Sequence, residues 1–313
     1  MKKIWRIVTL LALCAALAPS LPAQTSPPWS KGTNDPATNK GYVFPVEDVD
    51  NVPDLHGNPE GAKLVLFIGG NQFFVLPQLI AGFEKQHPEL RGRIYYETLP
   101  PGILRKQMAN HDTLTLGNFT VRAQPDVFEA GARGLAQMER RQMVEKPVRY
   151  ATNDLEIMVH AANPKRIRSL KDLARPDVKV SMPNPKWEGV ARQIGNSLRK
   201  AGGEALYRSV YVTKAQSGGT YLTHIHHRQT PMRIIKGEAD AGVTWASEVE
   251  FQERIGNPIG GVEIPANQNT TAIYAAGVLR KAQHREAAQA WVTYLTTPEA
   301  QAIYHQYGFK SVK

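Results

Sequence analysis

The sequence predicts an α/β protein with two lobes, each built on a parallel-type sheet flanked by helices. The first observation is length: 313 residues exceed the ~100–200 residues of a typical domain, so we expect two globular units. The second is that short apolar runs alternate with helical patterns from residue 63 onward, which is typical of repeated βα units. The third is a composition of 42% hydrophobic and 21% charged residues, which is ordinary for a globular chain.

The N-terminus has the pattern of a secretory signal peptide, which we predict to span residues 1–23. Lys2, Lys3 and Arg6 precede an apolar run over residues 7–17, and this run is shorter than the ~18 residues that a membrane-spanning helix needs. We therefore expect cleavage after Ala23 and export to the periplasm.

Cys14 is the only cysteine of the chain and lies inside this apolar run. A mature chain that begins after residue 23 has no disulfide, no thiol nucleophile and no cysteine ligand for a metal.

The formal net charge of +10 indicates a basic surface, which can attract anions, membranes or nucleic acid. The basic residues are scattered rather than gathered in a run, and an exported protein does not meet nucleic acid. We expect a small anionic partner and no nucleic acid.

The ordered part of the chain is expected to begin after an irregular leader over residues 24–60, which is rich in Pro, Asn and Asp and has no period. The predicted strands are residues 63–68 (KLVLFI), 93–97, 125–129, 178–182 and 239–245. Helices are expected to begin near Leu76, Pro101 and Thr230 and after Asn184-Pro185, and two more to occupy residues 283–295 and 298–307. Thr230 is expected to cap its helix, with Pro231 at the first helical position and Gly237 as the stop.

Four strand-to-helix turns contain Gly or Pro, namely residues 69–72, 99–102, 183–189 and 229–231. Ligands of open α/β sheets bind beyond the carboxyl ends of the strands. The N–H groups and the positive dipole end of each helix start attract anions. If the fold brings these turns to one cleft, an anion site is expected there.

The stretch KGEADAGVTWASEV, residues 236–249, resembles the molybdate-binding branch of the periplasmic type II solute-binding proteins of ABC importers. Similar matches follow one another along the chain at residues 99–108 (LPPGILRKQM), 125–131 (PDVFEAG) and 150–164, and at the closing 302–309. The resemblance covers residues 62–310.

This resemblance implies a chain that crosses between two lobes twice, near residues 151–161 and 262–278. One lobe is then expected to comprise residues 61–150 plus 268–313, and the other residues 151–267. The lobes would close on a ligand by hinge motion and dock on a membrane permease as a monomer. A molybdate- or tungstate-like oxyanion is the default ligand.

The resemblance also implies ligand-binding positions in the turns. The expected residues are Gly70, Asn71, Gln72, Pro101, Gly102, Ile103, Glu188, Gly189, Thr230, Thr244 and Trp245. In the family, serine hydroxyls at the positions that match Asn71 and Pro101 donate hydrogen bonds to the oxyanion. This chain has an amide side chain at the first position and, at the second, a proline, which has no N–H. A tyrosine of the family is replaced by Trp245.

A second hypothesis comes from residues 223–230 (THIHHRQT), where His224 and His226 would share one face of an extended strand next to His227. Two or three such imidazoles, completed by Glu248 or His160, suit a transition metal, which would make the protein a periplasmic metal-binding protein or chaperone. No catalytic signature such as a nucleophile elbow or a phosphate-binding loop is present in the sequence. We therefore expect neither an enzyme nor a cofactor.

Overall fold

The computed structural model describes residues 54–116, 119–223 and 226–312, together with a short strand pair in the leader. The predicted signal peptide and most of the leader lie outside the described residues. The strands are β1 (Ser30–Lys31), β2 (Tyr42–Val43), β3 (Leu55–His56), β4 (Leu64–Ile68), β5 (Ile94–Glu97), β6 (Thr113–Leu116), β7 (Phe119–Arg122), β8 (Val127–Gly131), β9 (Val148–Asn153), β10 (Leu155–His160), β11 (Val180–Met182), β12 (Thr220–Leu222), β13 (Ala241–Trp245), β14 (Ile259–Glu263) and β15 (Ala272–Val278).

The predicted helices are all present, with bounds within two residues of the predicted ones where both ends were given, and three further helices in the described part of the chain were not predicted. They are α1 (Leu76–Gln86), α2 (Pro101–Ala109), α3 (Ala132–Arg140), α4 (Gly189–Arg208), α5 (Lys214–Gln216), α6 (Thr230–Ile235), α7 (Ala246–Arg254), α8 (Arg285–Tyr294) and α9 (Pro298–Gln306). Short 3₁₀ turns occupy Gly70–Gln72 and His227–Gln229. Within the described ranges, no helix is both long and apolar enough to cross a bilayer.

The first sheet has the strand order β3-β5-β4-β8-β15-β9. Strand β4 pairs in parallel with β5 and β8, as repeated βα units require. Strand β15 returns from the C-terminal part of the chain and pairs antiparallel with both β8 and β9. The α/β class is confirmed, but the sheet is mixed rather than all parallel because the returning strand β15 lies antiparallel between β8 and the edge strand β9.

The second sheet has the order β12-β11-β13-β10-β14. Strand β11 is parallel to β12 and β13, whereas β10 is antiparallel to β13 and β14. We call the parts of the chain around the two sheets the first lobe and the second lobe.

The chain passes between the two sheets at two adjacent places. A single residue, Asp154, separates β9 of the first sheet from β10 of the second, and the chain returns between β14 and β15. Asn269 joins the two passages because its side chain accepts a hydrogen bond from the Leu155 N–H (3.1 Å) and donates one to the Leu155 carbonyl (2.8 Å).

The core explains why the apolar runs become strands. Every residue of β4 and β13 is buried, as expected for strands covered by helices on both faces. In the first lobe Trp291 is fully buried and donates its indole N–H to Glu129 of β8 at 2.6 Å. The pKa of Glu129 rises to about 7, because burial outweighs the hydrogen bonds that it accepts.

One local prediction for the second lobe is wrong. Thr230 is the first residue of α6 and does not cap it; its hydroxyl lies 3.0 Å from the Ser181 hydroxyl, buried between α6 and β11. Gly237, with a positive φ of 73°, does end the helix.

Replacing Gly242→Ala should lower the free energy of unfolding by about 1–3 kcal/mol. Gly242 lies in β13, and an added Cβ would stand 2.4 Å from the Ser181 carbonyl oxygen, which belongs to the neighbouring strand and cannot easily yield. Urea denaturation measures the change. The matched control is Gly134→Ala in α3, where a Cβ meets nothing within 4 Å and stability should be unchanged or slightly higher. Equal stabilities for both variants would contradict the packing described for β13.

Candidate functional site

A cleft of about 1040 Å³ lies between the two lobes. Three of the four predicted turns, those after β4, β5 and β11, reach it together with Trp245 at the end of β13, which is where α/β sheets bind ligands. The fourth predicted turn, residues 229–231, does not line it. The sequence-predicted residues that line it are Gly70, Asn71, Pro101, Gly102, Glu188, Gly189 and Trp245. The side chains of Gln72, Ile103, Thr230 and Thr244 are not part of this lining.

Two glycines let the lobes touch across the cleft. A Cβ at Gly102 would lie 2.8 Å from the carbonyl oxygen of Trp187 in the second lobe. A Cβ at Gly70 would lie 3.0 Å from the imidazole of His226 and 2.8 Å from the Thr98 carbonyl oxygen. A side chain at either position would therefore push the lobes apart. Both positions thus require glycine for the close approach of the lobes as well as for the geometry of the turn.

Some backbone N–H groups at the cleft have no partner in the helix that they begin. Gly189 and Val190 open α4, and the first N–H groups of a helix have no acceptor within it. Gly102 occupies the same place in α2. The Ile103 N–H, in contrast, donates to the Pro100 carbonyl at 2.8 Å, and the Gln72 N–H donates to Gly69 at 3.1 Å.

The predicted amide donors of the first lobe are already engaged. Asn71 donates its Nδ2 to the hydroxyl of Tyr274 at 2.6 Å. Gln72 donates its Nε2 to Tyr150 (2.7 Å) and accepts from the Tyr304 hydroxyl at 3.0 Å. These side chains hold the turn after β4 in place, while Tyr274 itself lines the cleft.

A buried carboxylate–imidazole–carboxylate triad supports the second-lobe wall. His227 Nδ1 lies 2.6 Å from Glu188 Oε2, and its Nε2 lies 2.9 Å from Glu248 Oε2. Glu188 is the residue before α4 and also accepts from the N–H groups of Asn184 (2.8 Å) and His227 (2.7 Å).

Glu248 sits in the first turn of α7, where it accepts hydrogen bonds from the Thr244 hydroxyl and the Trp245 N–H. The Thr244 hydroxyl, which was predicted to bind the ligand, therefore donates to this carboxylate instead. The triad thus ties the starts of α4 and α7, both at the cleft, to one imidazole.

The triad carries a charged histidine. Burial alone would lower the pKa of His227, but the carboxylates of Glu248 and Glu188 outweigh it and raise the pKa to about 10. Burial would raise the pKa of Glu248, but the charge of His227 and the bonds from Thr244 and Trp245 lower it. Two carboxylates and one imidazolium leave the triad with a net negative charge.

A second buried cluster joins the lobes directly; we call it the interlobe clasp, formed by Asp54, Thr98, His226 and Arg228. Asp54, just before β3, accepts from Arg228 Nη2, and its Oδ2 lies 3.1 Å from His226 Nε2. Arg228 also donates to the Thr98 carbonyl at 2.7 Å. Burial would raise the pKa of Asp54, but the charges of His226 and Arg228 lower it to about 2.

The metal hypothesis has no support from the described residues. Across them, no group of three His, Asp, Glu or Cys side chains is arranged to hold a metal ion. His226 faces Asp54 and Arg228, whereas Glu248 faces His227, so the two expected ligands do not converge. His224 lies outside the described residues.

Sequence reasoning missed several residues of the cleft. Tyr274 lies in the second crossing, and no motif marked it. The triad and the clasp join residues far apart in the chain. Arg105 and Arg192, which also line the cleft, could have been found, because each follows a helix-start glycine by three positions.

Two α/β lobes whose helix starts converge on a basic cleft define a solute-binding protein. The chain belongs to the family of bacterial extracellular solute-binding proteins, whose profile matches residues 64–310. This membership places it among binding proteins rather than enzymes.

The chain is also similar to proteins that are named for the anion that they bind. It is 25% identical over 240 residues to a sulfate-binding protein of Synechococcus elongatus, covering 74% of this chain and 68% of that one. It is 26% identical over 167 residues to the molybdate-binding protein ModA of Mycobacterium bovis, covering 52% and 56%. The fold matches the periplasmic molybdate-binding protein of Azotobacter vinelandii with a TM-score of 0.63 at 18% identity, covering 80% and 100%.

Replacing Asp54→Ala should lower the free energy of unfolding by about 3 kcal/mol, because it leaves the buried Arg228 charge without its carboxylate. The Asp54 side chain is only 14% exposed. The control is Asp177→Ala, which breaks an exposed pair with Arg175 and should cost less than about 1 kcal/mol. Chemical denaturation of both variants measures the difference. A loss at Asp54 no larger than that at Asp177 would mean that the clasp does not join the lobes.

The triad predicts that stability falls as the pH rises. The folded His227 pKa of about 10 exceeds the unfolded value near 6.5. The stabilisation is therefore complete below about pH 6.5 and is lost as the pH approaches 10, with a slope of up to about 1.4 kcal/mol per pH unit. Unfolding free energies across this range measure it. In His227→Gln the slope should flatten, whereas an unchanged slope would show that His227 is neutral in the fold.

Proposed function

We propose that this protein binds a tetrahedral oxyanion in the interlobe cleft and delivers it to the permease of an ABC importer. The observation that carries the proposal is the convergence of helix starts from both lobes, at Gly102 and Gly189, on one cleft with a strongly basic lining. Among the described residues of that lining Glu188 is the only carboxylate, and His227 pairs with it.

The physics favours a small anion held by several weak donors. One helix dipole contributes only ~0.3–1 kcal/mol at an exposed site. Charge-assisted N–H bonds to an anion contribute ~1.5–3 kcal/mol each. Donors from Gly102 and from Gly189 and Val190 lie on opposite lobes, so an anion that engages both sets would stabilise the closed arrangement.

Sulfate and molybdate are equally supported as ligands. The named relatives bind one or the other, and both ions are tetrahedral dianions that a cleft of N–H donors can hold. The proposed binding groups are the backbone of Gly70, Asn71, Gly102 and Gly189, with Trp245 beside them. The side chains of Gln72, Thr230 and Thr244 would act indirectly, by bracing the walls that they hydrogen-bond.

The remaining parts of the proposal concern transport. The signal peptide at residues 1–23 would direct the chain to the periplasm, where it would work as a monomer. Residues 61–150 plus 268–313 and residues 151–267 would form the two lobes, which would close by rotation about the paired passages at Asp154 and Asn269. Family membership supports an extracellular location and a permease partner.

Calorimetric titration tests the proposal, with sulfate and molybdate in one series and zinc and copper in another. The titrations are run at about pH 5.5 and about pH 7.5, on either side of the unperturbed histidine pKa. Binding of an oxyanion at both pH values is expected. Tight zinc or copper binding that weakens at the lower pH, without any anion binding, would favour the metal hypothesis and overturn this one.

Replacing Gly102→Ala should lower oxyanion affinity by at least about tenfold, or ~1.4 kcal/mol. The new Cβ would meet the Trp187 carbonyl oxygen at 2.8 Å and hold the lobes apart, so that donors of the two lobes cannot share one anion. Titration with sulfate or molybdate measures the affinity. Gly134→Ala also changes a cleft glycine, but in open space, and should bind as the natural protein does. An unchanged affinity in Gly102→Ala would show that lobe contact is not needed for binding.

A further inference from the structure

The cleft is much larger than an inorganic oxyanion. Its volume of about 1040 Å³ is at the upper end of the ~300–1,000 Å³ typical of pockets for drug-sized molecules. The lobes already touch at Gly70 with His226 and at Gly102 with Trp187, so further approach at these points cannot remove the space. A sulfate or molybdate ion would occupy a small part of it.

The cleft carries more positive charge than its own acids balance. Six basic residues of the lining are exposed and have no hydrogen bond or ion pair from their side chains within the described part of the chain. They are Arg105, Arg133, Arg141, Lys186, Arg192 and Arg280. The paired basic residues of the lining offer a contrast, since Arg199 binds Glu204 and Lys281 binds Asp112.

Two of these six basic residues, Arg105 and Arg192, follow the helix starts at which the oxyanion is proposed to bind. Arg105 follows Gly102 by three positions on α2, and Arg192 follows Gly189 by three positions on α4. Residues three apart share a helix face at ~5–6 Å, and helical side chains lean toward the N-terminus. Arg105 and Arg192 are therefore each within about one helical turn of the N–H donors of their own lobe, on the same face of the helix.

The cleft lining also contains apolar side chains that suit the organic part of a ligand. Trp187 and Met108 line the cleft, and the Trp187 indole N–H is buried without an acceptor in the described residues. Small-molecule sites combine such apolar walls with a few fixed polar groups.

We infer that the ligand is an organic anion of the phosphorylated carboxylic acid class. Its tetrahedral headgroup would lie at the helix starts, and its second anionic group would lie against Arg105 and Arg192. Guanidinium is suited to this task because it binds a carboxylate through two parallel N–H bonds. The inference rests on the proposed function, because the tetrahedral headgroup would occupy the oxyanion site proposed there. The inference adds the binding of a second anionic group.

The test compares two phosphate esters that differ only in the second charge. The probes are 2-phosphoglycolate and 2-hydroxyethyl phosphate, in which a neutral CH₂OH replaces the carboxylate, together with inorganic phosphate, sulfate and molybdate. Calorimetry on the mature chain should show 2-phosphoglycolate binding at least about tenfold more tightly than any of the others.

The variant for this test is Arg105→Gln combined with Arg192→Gln. It should lose the tenfold advantage of 2-phosphoglycolate and change the affinity for inorganic phosphate by less than about threefold. The matched control is Lys106→Gln, the next residue of α2, which removes the same charge outside the cleft lining and should leave both affinities unchanged. The comparison is repeated in ~1 M salt, where the screening length is about 3 Å, so that only direct contacts survive.

The outcomes separate this inference from the proposed function. Equal binding of the two esters, or tighter binding of sulfate or molybdate, overturns the inference and leaves oxyanion binding standing. An arginine effect that is the same for every anion and disappears in high salt also overturns it, because it would reveal only long-range attraction. Failure of all five anions to bind would instead refute the proposed function itself.

Discussion

The structure of the cleft depends on one buried interaction, the His227 imidazolium held between Glu188 and Glu248. These carboxylates belong to the starts of α4 and α7, two helices that are far apart in the chain. The proposed donors are backbone N–H groups, which cannot adjust as long side chains can, so the helix starts themselves must be held still. The triad does this by binding side chains and backbone N–H groups on both sides of one ring. Its buried charges are tolerable because each is hydrogen-bonded and opposed.

The lobes are joined by contacts that need no ligand. The interlobe clasp sets Asp54 of the first lobe against His226 and Arg228 of the second, and the glycines at positions 70 and 102 let backbone and ring approach closely. Such contacts would lower the difference in free energy between open and closed arrangements, so that the ligand needs less differential affinity to favour closure. The position of Asp54 also gives the end of the leader a structural role that its composition did not suggest.

The basic side chains of the cleft and the backbone N–H groups at the helix starts would attract an anion over different distances. Unpaired arginines raise the local anion concentration over a distance set by ionic strength, whereas the N–H groups act only in contact. The side chains that the resemblance singled out, Asn71, Gln72 and Thr244, bind other protein groups instead. The proposed site therefore differs from one built on serine hydroxyls, since its proposed donors are backbone N–H groups.

The α/β class, most strand and helix positions and the turns that reach the cleft could be read from the sequence, because apolar period, Pro at helix starts and Gly at turns act over a few residues. Residues such as Gly102 and Gly189 were found in this way. The antiparallel return of β15, the triad and the clasp could not be, because each joins residues dozens to hundreds of positions apart. Whether a donor such as Thr230 faces a ligand or another side chain was likewise decided only by tertiary packing, since burial requires polar groups to find partners among whatever neighbours the fold supplies.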